Sequence, residues 1–132
     1  MNYSRQRESI KKYLMSTHEH PTAEVVYQHV RKEYPKISLG TVYRNLTLLV
    51  DLGEAKKIST GDGTDHFDGD TSAHSHYYCK CCKRVMDLDI TPSIEQILAA
   101  SSAGLGTVES ANLLFTGICK DCILDSENNN HS

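Results

Sequence analysis

The stretch SLGTVYRNLTLLVDLGEAKKISTGDGTDHFD, Ser38 to Asp68, decides how the first half of the chain is read. Ser38 is an N-cap residue type. Val42, Leu46, Leu49 and Val50 follow at i, i+4, i+7 and i+8, which is one face of a helix, and Gly53 stands where such a helix stops. Ala55–Ser59 and Thr64–Asp68 are short extended runs on either side of Gly61-Asp62-Gly63, the composition of a β-hairpin. Upstream, Ser4 can cap a helix with apolar positions Ile10, Tyr13 and Leu14. Thr17 to Pro21 break it. Thr22 caps a second helix with Val26 and Val30 on one face, ending before Pro35. Three short helices followed by a hairpin are the pattern of a winged helix-turn-helix, whose third helix enters the major groove of DNA.

On that reading Ser38, Thr41, Tyr43, Arg44 and Asn45 occupy the first exposed turns of the third helix. These residue types reach phosphates, base edges or thymine methyls. Lys56 and Lys57 fall on the wing, beside backbone phosphates. Charge agrees. The 132 residues carry 14 basic and 17 acidic side chains, a net of −3, but the two halves differ. Residues 1–58 hold ten basic and six acidic side chains (net +4), and residues 59–132 hold four and eleven (net −7). The first half suits a polyanion and the second suits cations. A three-helix domain with an ordinary polar face is the competing reading; helix order, hairpin and charge together favour DNA.

All five cysteines lie in the second half. Cys79-x-x-Cys82 and Cys119-x-x-Cys122 are two CxxC pairs with 36 residues between them. Each pair presents two thiolates to one ion, and two pairs complete a tetrahedral shell. Four ligands leave no open position, so the reading is a structural Zn2+ site. Cys81 is left over. The N-terminus, Met1 to Lys12, is polar and lacks the apolar stretch of a secretory signal, so a cytoplasmic location and reduced cysteines are expected. No apolar run approaches the ~18 residues of a membrane span, and a hydrophobic content of 39% is too high for a disordered chain.

The rest of the second half reads as α+β. His74 to Tyr78 alternates like a strand, and Arg84 to Asp89 does so again. A helix starts at Thr91-Pro92 with Ile94, Ile97 and Leu98 facing inward, and Val108 to Ile118 returns as a strand. The expected organisation is a winged-helix DNA-binding domain over 1–67, with a hinge at about 60–73 that is rich in Gly, Asp and Thr. A small α/β dimerisation and metal-binding domain follows over 68–125, then a disordered tail over 126–132. So small a second domain would be helped by both zinc and dimerisation.

Further ligand-type residues remain. His74-x-His76 on a strand puts both imidazoles on one face. Asp68 precedes them, Asp87 lies on the following strand, and His20 sits in the break before Pro21. An N/O set of this kind suits Fe2+, Mn2+ or Zn2+. Singly, each is also an ordinary surface His or Asp, and spacing alone does not join His20 to the others.

Taken together, SLGTVYRNL (38–46), His74-Ser75-His76 and both CxxC pairs resemble the ferric uptake regulator family over roughly Ser4 to Cys122. The resemblance implies a dimeric, metal-dependent repressor that binds palindromic operator DNA. Its pattern is nearest the family's peroxide-sensing repressors. It implies Zn2+ at Cys79, Cys82, Cys119 and Cys122, and regulatory Fe2+ or Mn2+ at His20, Asp68, His74, His76 and Asp87. An Asp at position 87, where iron-uptake regulators usually carry Glu, implies hydrogen peroxide as the signal, with His20 and His74 the ligands open to oxidation. Such a protein is a sensor and not an enzyme. Two alternatives stand beside it: an iron, zinc or manganese uptake regulator, and a small metalloenzyme using His74, His76 and a carboxylate as a facial triad. The resemblance assigns no role to His18 or His66, and whether either completes another site stays open.

Overall fold

A computed structural model gives the fold and describes residues 3–72, 75–109 and 111–129. His74, one of the expected ligands, lies outside the described residues. The chain divides into two compact units, Met1–Ser72 and Ala73–Ser132.

The first unit contains α1 (Tyr3–Ser16), α2 (Ala23–Val30), α3 (Leu39–Asp51), β1 (Lys56–Ser59) and β2 (Asp65–Asp68). Both expected internal caps are present. The Thr22 hydroxyl accepts from the Val25 N–H at 3.4 Å, and the Ser38 hydroxyl from the Thr41 N–H at 3.1 Å. Ser4 does not cap α1, because the helix already includes it. The apolar stripes of the helices meet in one core of Ile10, Leu14, Ala23, Val26, Val30, Ile37, Val42, Leu46, Leu49, Ala55 and Phe67. Burying each larger side chain contributes about 1.5–3 kcal/mol.

The strands form an antiparallel hairpin with Lys56 opposite Asp68 and Ser59 opposite Asp65. At its tip Gly61 and Gly63 take φ of 83° and 85°, a region that L side chains avoid. The Asp62 carboxylate fastens the tip by accepting from the Thr60 hydroxyl at 2.6 Å and the Thr64 N–H at 3.0 Å.

The division between the units falls after Ser72, not after residue 67. Asp68 is the last rung of the hairpin, and so belongs to a strand and not to a hinge. The following residues pack on the same unit. A Cβ on Gly69 would lie 2.7–2.8 Å from the backbone of Leu14 and Met15, so only glycine fits there. The Lys56 ammonium donates to the Ser72 carbonyl at 2.9 Å.

The second unit contains β3 (Ser75–Cys79), β4 (Val85–Leu88), α4 (Ile94–Ser101), β5 (Leu114–Gly117) and α5 (Lys120–Asn129). Its sheet has the order β4-β3-β5, with β4 antiparallel and β5 parallel to β3. Three expectations are corrected. The returning strand is only Leu114–Gly117, because the residues before it make no ladder. The expected tail is helical through Asn129, continuing the turn that holds Cys122. Ile94, Ile97 and Leu98 do not face inward. Ile94 is 76% exposed and no residue of α4 is buried, although the helix is well started by a Ser93/Gln96 capping box. No helix among the described residues is long and apolar enough to cross a membrane.

Candidate metal centres and recognition face

The four cysteines are brought together at the ends of β3 and β5. Cys79 closes β3, in register with Gly117 at the end of β5, and Cys119 follows two residues later. The first CxxC is a tight turn. The Lys83 N–H donates to the Cys79 carbonyl at 2.9 Å, and Lys83 takes φ of 66° to allow it. The N–H groups of Cys119 and Cys82 point at the Cys79 sulfur, 3.3 and 3.4 Å away. The second CxxC opens α5 and delivers Cys122.

The four Sγ atoms lie within 4.8 Å of one another. Cys79–Cys122 is 3.7 Å and Cys82–Cys119 is 3.9 Å. A tetrahedron with Zn–S bonds of about 2.3 Å has S–S edges of about 3.8 Å. A disulfide requires about 2.05 Å. The spacing therefore fits one shared ion and not two bridges.

The electrostatics point the same way. Backbone N–H groups, that of Cys119 foremost, pull the Cys79 thiol down to about 6. The neighbouring Cys119 sulfur and then burial push Cys122 upward. At Cys82 the Arg84 backbone acts downward, yet burial and the adjoining sulfurs prevail and the net shift is upward. Without a cation the cluster cannot hold four thiolates; a divalent cation supplies the missing counter-charge. Cys81 is exposed and stands outside the cluster.

Each unit also carries one imidazole–carboxylate pair. In the first, His20 Nδ1 is 3.5 Å from Asp68 Oδ2, and both side chains are almost fully buried. In the second, His76 on β3 is in register with Asp87 on β4, and His76 Nε2 lies 3.6 Å from Asp87 Oδ1. Cross-strand partners project on one face, which is why the two meet. His20 takes φ of 50°. For a side-chain-bearing residue that conformation costs roughly 1–2 kcal/mol and persists only where surrounding contacts impose it.

The expected DNA-contacting residues divide into two groups. Ser38, Thr41 and Arg44 form a chain on the exposed face of α3. The Ser38 and Thr41 hydroxyls are 2.9 Å apart, and Arg44 Nη2 donates to Thr41 Oγ1 at 3.0 Å. Tyr43 is 40% exposed, and burial, then the nearby Glu24 and Asp65, push its phenol above the ordinary tyrosine value. Lys57 is exposed on β1.

Asn45 and Lys56 differ from expectation. Asn45 is buried, and its Nδ2 donates back to the Thr41 carbonyl at 3.0 Å, so it braces the helix from inside. Lys56 is half-buried and tied to Ser72.

The sequence reading passed over His66. It is buried on β2, two residues before Asp68 and so on the same face of the strand, and its Nδ1 is 2.8 Å from the His20 carbonyl oxygen. The period-2 relation to Asp68 was the available signal.

Residues 1–113 match the Ferric uptake regulator family. The chain is 34% identical over 117 residues to the peroxide-responsive repressor PerR of Staphylococcus epidermidis, covering 89% of this chain and 78% of that protein. Among solved structures it resembles the peroxide stress regulator of Campylobacter jejuni. The TM-score is 0.74 at 28% identity, over 92% of this chain and 91% of that one. It also resembles the ferric uptake regulator of Vibrio cholerae, with a TM-score of 0.67 at 26% identity, over 86% and 88% of the two chains.

Proposed function

The chain belongs to the ferric uptake regulator family, and from that membership we propose that it is a dimeric, metal-responsive repressor that releases operator DNA when it meets hydrogen peroxide. Zn2+ at Cys79, Cys82, Cys119 and Cys122 holds the second unit together. Fe2+ or Mn2+ at His20, Asp68, His74, His76 and Asp87 is the regulatory ion. The observation that carries this reading is the buried His20–Asp68 pair, with His20 held at a φ of 50°.

The donor set fits a hard divalent ion: imidazole nitrogens and carboxylate oxygens, with no sulfur. His20 and Asp68 belong to the first unit; His74, His76 and Asp87 belong to the second. Ligation by all five favours one relation of the units over others. Metal thereby shifts the population toward a DNA-binding arrangement, as far as the difference in affinity allows.

Bound Fe2+ supplies one-electron chemistry with peroxide, which Mn2+ does not. His20 and His74 are the ligands exposed to that chemistry. Oxidation of either imidazole weakens the grip of the chain on the ion and frees the units. The change consumes the protein, so this is regulation without turnover.

Ser38, Thr41, Tyr43, Arg44 and Lys57 face DNA, with Asn45 and Lys56 bracing from behind. The exposed apolar surface of Ile94, Ile97, Leu98 and Phe115 is the face for a second copy, and two copies present two recognition helices to a palindrome. A location in the cytoplasm follows from that task.

The test is DNA binding by the zinc-loaded protein, using a duplex selected from a random pool. Fe2+- and Mn2+-loaded forms are compared before and after brief low-dose peroxide. Loss of binding by the Fe2+ form alone is expected. Metal-dependent binding that ignores peroxide with either ion would make the protein an uptake regulator. Binding unchanged in Asp87→Ala would remove that residue from the switch.

A further inference from the structure

We propose that His66 is a positioning residue for the His20–Asp68 half of the regulatory site. From β2 it holds the His20 backbone in the conformation that keeps the His20 imidazole beside Asp68. The inference rests on the reading of His20 and Asp68 as ligands.

His20 takes φ 50°, an uncommon backbone conformation for a residue other than glycine. The restraint comes from one strand. His66 Nδ1 lies 2.8 Å from the His20 carbonyl oxygen in a buried setting. A carbonyl only accepts, so Nδ1 carries the proton and donates. The next residue repeats the grip, with the Phe67 N–H donating to the Pro21 carbonyl at 2.9 Å. That bond forms the isolated antiparallel bridge between Thr22 and His66, so residues 20–22 run antiparallel beside β2.

Two residues beyond His66, on the same face of that strand, is Asp68, whose Oδ2 is 3.5 Å from His20 Nδ1. One strand thus carries one member of the pair and fixes the backbone of the other. A side chain without a donor at position 66 removes the Nδ1 hydrogen bond to the His20 carbonyl and with it one restraint on the His20 backbone. Groups that orient metal ligands in this way typically govern affinity by 10–100-fold.

The test is Mn2+ titration of the full-length, zinc-loaded protein in four variants, with zinc content and thermal unfolding followed in each. His66→Leu should weaken Mn2+ binding about 10–100-fold while zinc stays at wild-type stoichiometry. His66→Asn places an amide N–H where Nδ1 stands and should bind within about threefold of wild type. His66→Gln places its amide where Nε2 stands and should resemble His66→Leu. Rescue by Asn but not by Gln distinguishes a hydrogen bond at Nδ1 from simple filling of the core, and it holds even if His66→Leu fails to fold. Equal behaviour of Asn and Gln overturns the role. So does wild-type affinity in His66→Leu alongside lost affinity in His20→Ala. Wild-type affinity in His20→Ala removes His20 from the site altogether, and the role of His66 with it.

Discussion

Chelation of the ion at the four cysteines should unfold the second unit and leave the first standing. Apart from Cys79 and Cys119, the buried apolar side chains among the described residues of the second unit are Tyr78 and Val85. Their burial contributes only about 1.5–3 kcal/mol each. Structural zinc supplies on the order of 10–16 kcal/mol. The first unit has its own eleven-residue core and no cysteine. Helices α1, α2 and α3 contribute 14, 8 and 13 residues, and α4 and α5 contribute 8 and 10, so the first unit holds 35 of 53 helical residues. Chelation under reducing conditions should therefore remove about one third of the helical circular dichroism at 222 nm, the share held by α4 and α5. The remaining two thirds should melt in a single later transition. Full removal of zinc with an undiminished signal would refute the reasoning that metal holds the second unit. Loss of the entire signal would refute the independence of the first.

Four substitutions examine the first unit. Gly69→Ala forces a Cβ against the Leu14 and Met15 backbone and should cost about 1–3 kcal/mol, read as a lower urea midpoint; an unchanged midpoint would contradict the close approach. Leu46→Ala opens the centre of the core and should cost about 2–5 kcal/mol by the same assay, so a loss below ~1 kcal/mol would mean that the site collapses. Thr41→Val removes the acceptor that steadies Arg44. It should weaken DNA binding while keeping the salt dependence, whereas Arg44→Ala should flatten the slope of log K against log salt by about 1 if that residue meets a phosphate.

The first unit was legible because its residues follow simple periods. Thr22 and Ser38 announce their helices, and Val42, Leu46 and Leu49 fall on one stripe. The paired CxxC spacing likewise identified the sulfur cluster before any geometry was known. Where the reading erred, a tertiary partner decided the outcome. Asn45 looks like any polar helix residue, and only the Thr41 carbonyl turns it inward. Lys56 reads as a free wing cation until the Ser72 carbonyl is seen to hold it. Ile94, Ile97 and Leu98 were read as core because apolar residues at helical spacing usually are, but all three remain exposed in the single chain. The grip of His66 on His20 joins residues 46 apart, a relation no local pattern encodes.

The register of β3 with β5 bears on how the second unit comes to be folded. The strands are parallel and pair residues 38 positions apart, from His76 with Leu114 to Cys79 with Gly117. Pairing over that separation demands closure of a long loop before any rung is rewarded, which makes it slow. The sulfurs sit at the end of this ladder, so capture of one ion by both CxxC turns closes the loop first and lets the strands zip back from the clamp. The first turn leaves the ribosome 36 residues ahead of the second and must wait for it. A chain synthesised without metal would meanwhile present the β5 side of β3 unpaired, an open strand edge that other chains can join. Supply of the ion therefore sets the competition between folding and aggregation during synthesis, well before any regulatory event.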